Sequence, residues 1–196
     1  FIETGRALPV LLTYLFGIEI YADFMGYSTI AIGFGYLLGY KLPVNFTLPY
    51  MARSFSEFWK RWHITLSTWL RDYVYTPLGG NGRRRHRTAL NVVITFMLGG
   101  LWHGAAWNFV LWGLFHAGLI LIWRSVSKFN IQSINGISTV LTFFMIGGGW
   151  VLFREQDLTF ILENVFASNR DIHLATTLAA TAALYSIPIW LHSVIE

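Results

Sequence analysis

Five stretches of this chain, residues 8–40, 89–101, 105–123, 137–153 and 174–191, are almost free of charged side chains. About 20 apolar residues suffice to cross a bilayer, and lipid tolerates only backbone whose polar groups are satisfied internally. That pattern constrains the fold more than any other feature. It predicts an all-α, polytopic membrane protein. Composition agrees: 55% of the residues are apolar and 12% charged. A soluble domain carries about 25% charge. The aromatic share of 17% excludes a disordered chain.

The first stretch is too long for one span and is interrupted at Asp23-Phe24-Met25-Gly26. It reads as two helices, about 7–22 and 28–40, either of which could be re-entrant. With the other runs this makes about six transmembrane or re-entrant helices in a single membrane domain over 1–196. The chain starts at Phe1, with no charged leader before the first apolar run. It therefore reads as a piece of a longer protein.

Nine of the fourteen Lys and Arg residues fall between Lys41 and Arg87, against two acids, so this segment carries +7 and the rest of the chain −3. Basic charge gathered between apolar runs marks a cytoplasmic segment. The flanking spans argue against nucleic acid as the partner of this patch. Inside it, Ser54-Phe55-Ser56-Glu57 has the pattern of a capping box. The helix it opens is expected to run to about Tyr73. Phe55, Trp59, Trp62, Leu66, Trp69 and Tyr73 recur on one face, and Lys60, Ser67 and Arg71 lie on another. Such a basic, Trp-rich amphipathic helix suits the membrane interface.

Candidate chemistry rests on few residues. The chain has no Cys, which excludes a disulfide framework, a Cys-based zinc site and a Cys nucleophile. No nucleophile elbow surrounds any Ser, and no phosphate-binding glycine loop follows a strand pattern. His103 sits between two apolar runs, bracketed by Gly100 and Gly104. It is either a packing group that bonds a neighbouring helix or a general base. His63, in Arg61-Trp62-His63-Ile64, reads as an interfacial group on the amphipathic helix. His116 lies thirteen residues past His103. That is about 220° around a helix, so the two share no face and no metal pair is expected there. Glu19 and Asp23 are four apart on one face and are expected to pair with Arg of a neighbouring helix.

Longer motifs add to this reading. The segment from Phe58 to Gly80, FWKRWHITLSTWLRDYVYTPLGG, resembles the signature of membrane-bound O-acyltransferases. The resemblance is to their bacterial branch that includes the alginate O-acetylases. Asp23 to Ser28, Leu98 to Trp107 (LGGLWHGAAW) and Gly149 to Arg154 (GWVLFR) resemble that family's other motifs, in the family's order. The resemblance covers roughly residues 14–166.

It implies a ring of helices around a thinned membrane region, in a protein about twice as long as this chain. It implies His103 as the catalytic residue and His63 as a second functional histidine. The reaction implied is transfer of an acyl group from a cytoplasmic thioester, acetyl-CoA, toward a hydroxyl of an exopolysaccharide. Periplasmic acetyltransferases would be the partners, and the location would be the bacterial inner membrane. By their charge, Arg61 and Arg71 are expected to hold the donor's phosphates or to pair with Asp72. No bound cofactor or metal is expected. The same chemistry on peptidoglycan, or D-alanylation of teichoic acid, is the rival acceptor reading. A transporter with His103, Glu19 and Asp23 as a proton relay is the rival class.

Overall fold

The computed structural model describes residues 7–82, 84–126, 135–157, 159 and 161. Among these residues the fold is all-helical. The longest helix, α1, runs without a break over Ala7–Leu37. Two helices were expected here. Asp23 and Gly26 each cost a helix no more than about 1 kcal/mol, and no proline falls between positions 10 and 42, so nothing forces a break. Glu19 and Asp23 are both exposed on α1, and neither forms an ion pair among the described residues, contrary to expectation.

An extended connector with Pro43 and Pro49 follows and closes in a 3-10 turn at Pro49–Met51. The buried Tyr50 hydroxyl donates to the Gly17 carbonyl at 2.5 Å and pins this turn to α1. Helix α2, Phe55–Arg61, starts where the capping pattern places it. Ser54 Oγ accepts from the Glu57 N–H at 3.1 Å, and Glu57 reaches back to the Arg53 N–H at 2.8 Å.

The single helix expected to Tyr73 is instead broken. Trp62 is extended (φ −104°, ψ 128°) and His63 is left-handed (φ 43°, ψ 56°). Helix α3, Ile64–Leu70, then starts afresh and runs into a π-turn at Arg71–Tyr75. The break splits the expected aromatic face. Phe55 and Trp62 are buried in the core, whereas Trp69 and Tyr73 stand 51% and 69% exposed.

Helices α4 (Arg85–His103), α5 (Trp107–Val126) and α6 (Asn135–Arg154) fall where the apolar runs predict. Two of the described helical stretches, Trp107–Val126 and Gly136–Arg154, are long and apolar enough to cross a membrane. The expected last span, 174–191, lies outside the described residues, as does most of the polar stretch 154–171.

Water drives apolar helices together, but lipid does not, so helices in a membrane associate by close packing. Small residues supply it between α4 and α5. A Cβ added at Gly100 would collide with the Phe109 carbonyl, and one at Gly113 with the Phe96 carbonyl. These contacts run antiparallel and let the two backbones touch. Around them the core is aromatic. Trp62 packs on Phe58 (5.6 Å between centroids), Phe46 (5.1 Å) and Trp150 (5.1 Å). Side-chain bonds tie the remaining elements. Tyr14 donates to the Phe144 carbonyl (3.0 Å), Asn108 to that of Leu152 (3.2 Å) and Asn91 to that of Gly80 (3.0 Å).

Candidate functional site

The last residue of α4 is His103, and the chain turns at once through Gly104 into α5. A Cβ at Gly104 would stand 2.5 Å from the Phe109 ring, so only glycine lets this turn close so tightly. The turn leaves the imidazole in an aromatic box. Trp102 (5.0 Å), Trp112 (5.3 Å) and Phe153 (5.0 Å) meet it edge to face, and Phe109 lies at 6.3 Å. Among the described residues neither imidazole nitrogen forms a hydrogen bond to a side chain. The side chain faces a cavity of about 580 Å³.

That cavity runs between α2–α3 on one side and α4–α5 on the other. Val92, Phe96 and His103 line it from α4, and Trp112, Ile120 and Arg124 from α5. At 1.5 Å per residue, Trp112 and Arg124 stand about 18 Å apart along α5. Because α4 and α5 are antiparallel, His103 is beside Trp112 and Arg124 is at the far end. Lys60, Ser67 and Arg71 also line the wall. These three are the polar face read from the sequence, and it survives the break at His63. Arg71 forms a fork with Asp72, at 2.7 and 3.2 Å, that raises the guanidinium's pKa and holds the carboxyl below its ordinary range.

His63 and His103, forty positions apart in sequence, converge on Trp102. Its ring lies 6.0 Å from His63 and 5.0 Å from His103. His63 sits at the break between two helices, not on a helix face as expected. Its ring stands perpendicular to Phe24 of α1 at 4.6 Å. Burial, with a smaller contribution from the charge of His103, lowers its pKa to about 4, so the ring is neutral at pH 7. His63 does not itself line the cavity; its neighbour Ile64 does.

Arg61 is placed elsewhere. It pairs with Glu57 at 2.7 Å and donates to the Thr47 carbonyl at 3.3 Å, and it is absent from the cavity wall. Lys60 and Arg124 stand there instead. In the sequence Lys60 belongs to the polar face of α2–α3, while Arg124 follows the apolar run 105–123. His116 is 1% exposed, wedged between Trp59 (5.1 Å) and Trp112 (4.7 Å), with no hydrogen bond to either nitrogen among the described residues. His86 is exposed; His173 and His192 lie outside the described residues. Among the described residues no group of His, Asp and Glu could hold a metal ion.

Residues 2–155 match the family model of the membrane-bound O-acyltransferases. The probable alginate O-acetylase of Azotobacter vinelandii is 45% identical over 156 residues, which are 79% of this chain and 31% of that protein. The peptidoglycan O-acetyltransferase of Helicobacter pylori is 41% identical over 157 residues, 78% of this chain and 29% of that protein. The teichoic acid D-alanyltransferase of Streptococcus thermophilus is 38% identical over 123 residues, 58% of this chain and 30% of that protein. The matched part of the chain thus spans about a third of the length of these relatives.

Proposed function

The chain belongs to the membrane-bound O-acyltransferase family, and on that premise we propose that it forms part of a multi-pass acyltransferase of the bacterial inner membrane. Its donor is a cytoplasmic acyl thioester, acetyl-CoA, and its acyl group passes toward hydroxyls of an exopolysaccharide of the alginate type through periplasmic partner proteins. The observation that carries this reading is a cavity lined by His103 beside Trp112 and by the cations Lys60, Arg71 and Arg124, with Arg124 at the end away from His103.

The chemistry follows from that polarity. Lys60, Arg71 and Arg124 would hold the donor's phosphates by charge-assisted hydrogen bonds. The thioester would lie along the cavity toward the aromatic box, where apolar walls exclude water and protect it from hydrolysis. His103 takes the proton of the attacking hydroxyl as the new C–O bond forms. The C–S bond then breaks, and the imidazolium returns the proton to the departing thiolate. His63, neutral at pH 7, assists near Trp102 as donor-positioning group or proton relay. Segment 41–87, with its cations, faces the cytoplasm, and α2–α3 lie at the interface.

His103→Ala in the complete protein is expected to abolish thioester consumption and acylation of the polymer, while the protein still accumulates in the membrane. Acylation at the unsubstituted rate would overturn the assignment of His103. The acceptor reading follows the identity to the probable alginate O-acetylase. Peptidoglycan and teichoic acid are the acceptors named for the other relatives. Analysis of which isolated polymer loses its ester groups in the His103→Ala strain decides among the three.

A further inference from the structure

Asn45 lies in the connector, between two prolines, where the sequence shows neither helix nor motif. In the fold it is tied to the break between α2 and α3. Its carbonyl accepts from the Ile64 N–H at 3.0 Å. Two residues on, the Thr47 N–H donates to the Arg61 carbonyl at 3.1 Å. The connector thus clamps the chain on both sides of Trp62 and His63. A left-handed backbone costs a non-glycine residue about 1–2 kcal/mol, and His63 adopts one under this clamp.

The Asn45 side chain then bears on the imidazole. Its Oδ1 accepts from the Thr65 N–H at 3.2 Å and from the Thr65 hydroxyl at 2.7 Å. A backbone N–H can only donate, so the amide orientation is settled: this atom is the oxygen. The same Oδ1 stands 3.3 Å from His63 Nδ1. Thr65 Oγ1 lies 3.5 Å from the same Nδ1 but gives its one proton to Oδ1. An amide oxygen has no proton to give, so a hydrogen bond between Oδ1 and Nδ1 puts the hydrogen on Nδ1. A neutral imidazole has one N–H, which leaves the lone pair on Nε2.

We propose that Asn45 is a positioning residue for His63, holding its ring in the Nδ1–H tautomer so that Nε2 is the basic nitrogen. The functional part of this inference rests on the acyltransferase reading; the tautomer itself does not. Around the ring, Asn45, Thr65, Phe24 and Trp102 are uncharged, and among the described residues the titratable group that acts on it is His103. A carboxylate in place of the amide would keep every acceptor and add a charge that stabilises the imidazolium.

The test uses the complete protein in lipid nanodiscs, with three readouts. The first is the ¹⁵N spectrum of the imidazoles, with His63 assigned by difference against His63→Gln. The second and third are kcat and KM for acetyl-CoA across pH. The wild type is expected to show His63 protonated at Nδ1. Asn45→Asp keeps activity, and the acid limb of its kcat profile moves up by about one to three pH units. Asn45→Leu loses the Nδ1–H tautomer and about 10- to 100-fold in kcat, the order of loss seen when an orienting partner is removed from a metal-bound histidine, with KM little changed.

A wild-type His63 protonated at Nε2 overturns the inference, as does an Asp variant whose acid limb coincides with that of the wild type. If Asn45→Leu fails to accumulate, the Asp variant carries the decision. If the wild type consumes no thioester, the acyltransferase reading fails, and the ¹⁵N spectrum still decides the tautomer.

Discussion

At the scale of single residues, two histidines differ in how they are held. His103 has an aromatic box and no bonding partner for its nitrogens among the described residues, which suits a group that must meet a substrate. His63 is held by backbone and side chain alike. Its pKa of about 4 in the folded protein compares with about 6.5 for a free imidazole. Between those values the unfolded chain binds a proton that the folded chain does not. Stability should therefore fall as pH drops from about 6.5 toward 4. In the His63→Gln protein that part of the fall is expected to disappear. Thermal midpoints of both proteins in detergent at pH 7 and pH 4.5 measure the difference. Equal falls in the two would mean that His63 is charged in the fold at pH 4.5.

Elements are decided by smaller effects. The start of α2 was legible because a Ser at the cap position satisfies an N–H that the helix leaves unbonded. Ser54→Ala is expected to cost about 1 kcal/mol, read as a lower midpoint of thermal unfolding. The end of that helix was not legible. Nothing local in Arg61-Trp62-His63-Ile64 forbids a helix, and the break comes from bonds to a connector fourteen to nineteen positions upstream. The converse holds in α1, where a Gly and an Asp suggested a break that intact helical bonding overrides. Between α4 and α5, Gly100 and Gly113 let the backbones touch. Gly113→Ala should push the pair apart at a cost of about 1–3 kcal/mol. Because His103 ends α4, that variant should also lose activity more steeply than its loss of stability explains. Activity per folded protein, with folding followed by size-exclusion chromatography, checks this.

At the scale of the molecule, one cavity brings three cations and an aromatic box together. Lys60, Arg71 and Arg124 come from three different elements, so the grouping exists only once the helices have packed. Lys60→Glu and Arg124→Glu are each expected to lower kcat/KM for an acyl-CoA donor by about tenfold, mainly through KM, since a hydrogen bond to a charged group contributes about 1.5–3 kcal/mol. All three side chains are exposed, so the effect should shrink as ionic strength rises and the Debye length falls below about 10 Å. Steady-state rates at low and high salt test it. An unchanged KM in both variants would remove these residues from the donor site.

The sequence by itself determined the all-helical class, the placement of α4, α5 and α6, the concentration of positive charge in one segment, and the two histidines worth testing. The helices and the charge follow from local rules, because a long apolar run and a cap need no partner to be recognised, whereas the histidines stand out through the resemblance of their motifs. Only the tertiary structure decided that α1 is continuous, that His63 sits at a break, that Arg61 turns away to Glu57 while Lys60 and Arg124 reach the cavity, and that Asn45 bears on His63. Each of these depends on contacts between residues distant in the chain. Periodicity within a segment carries no record of which other segment its hydrogen bonds will meet.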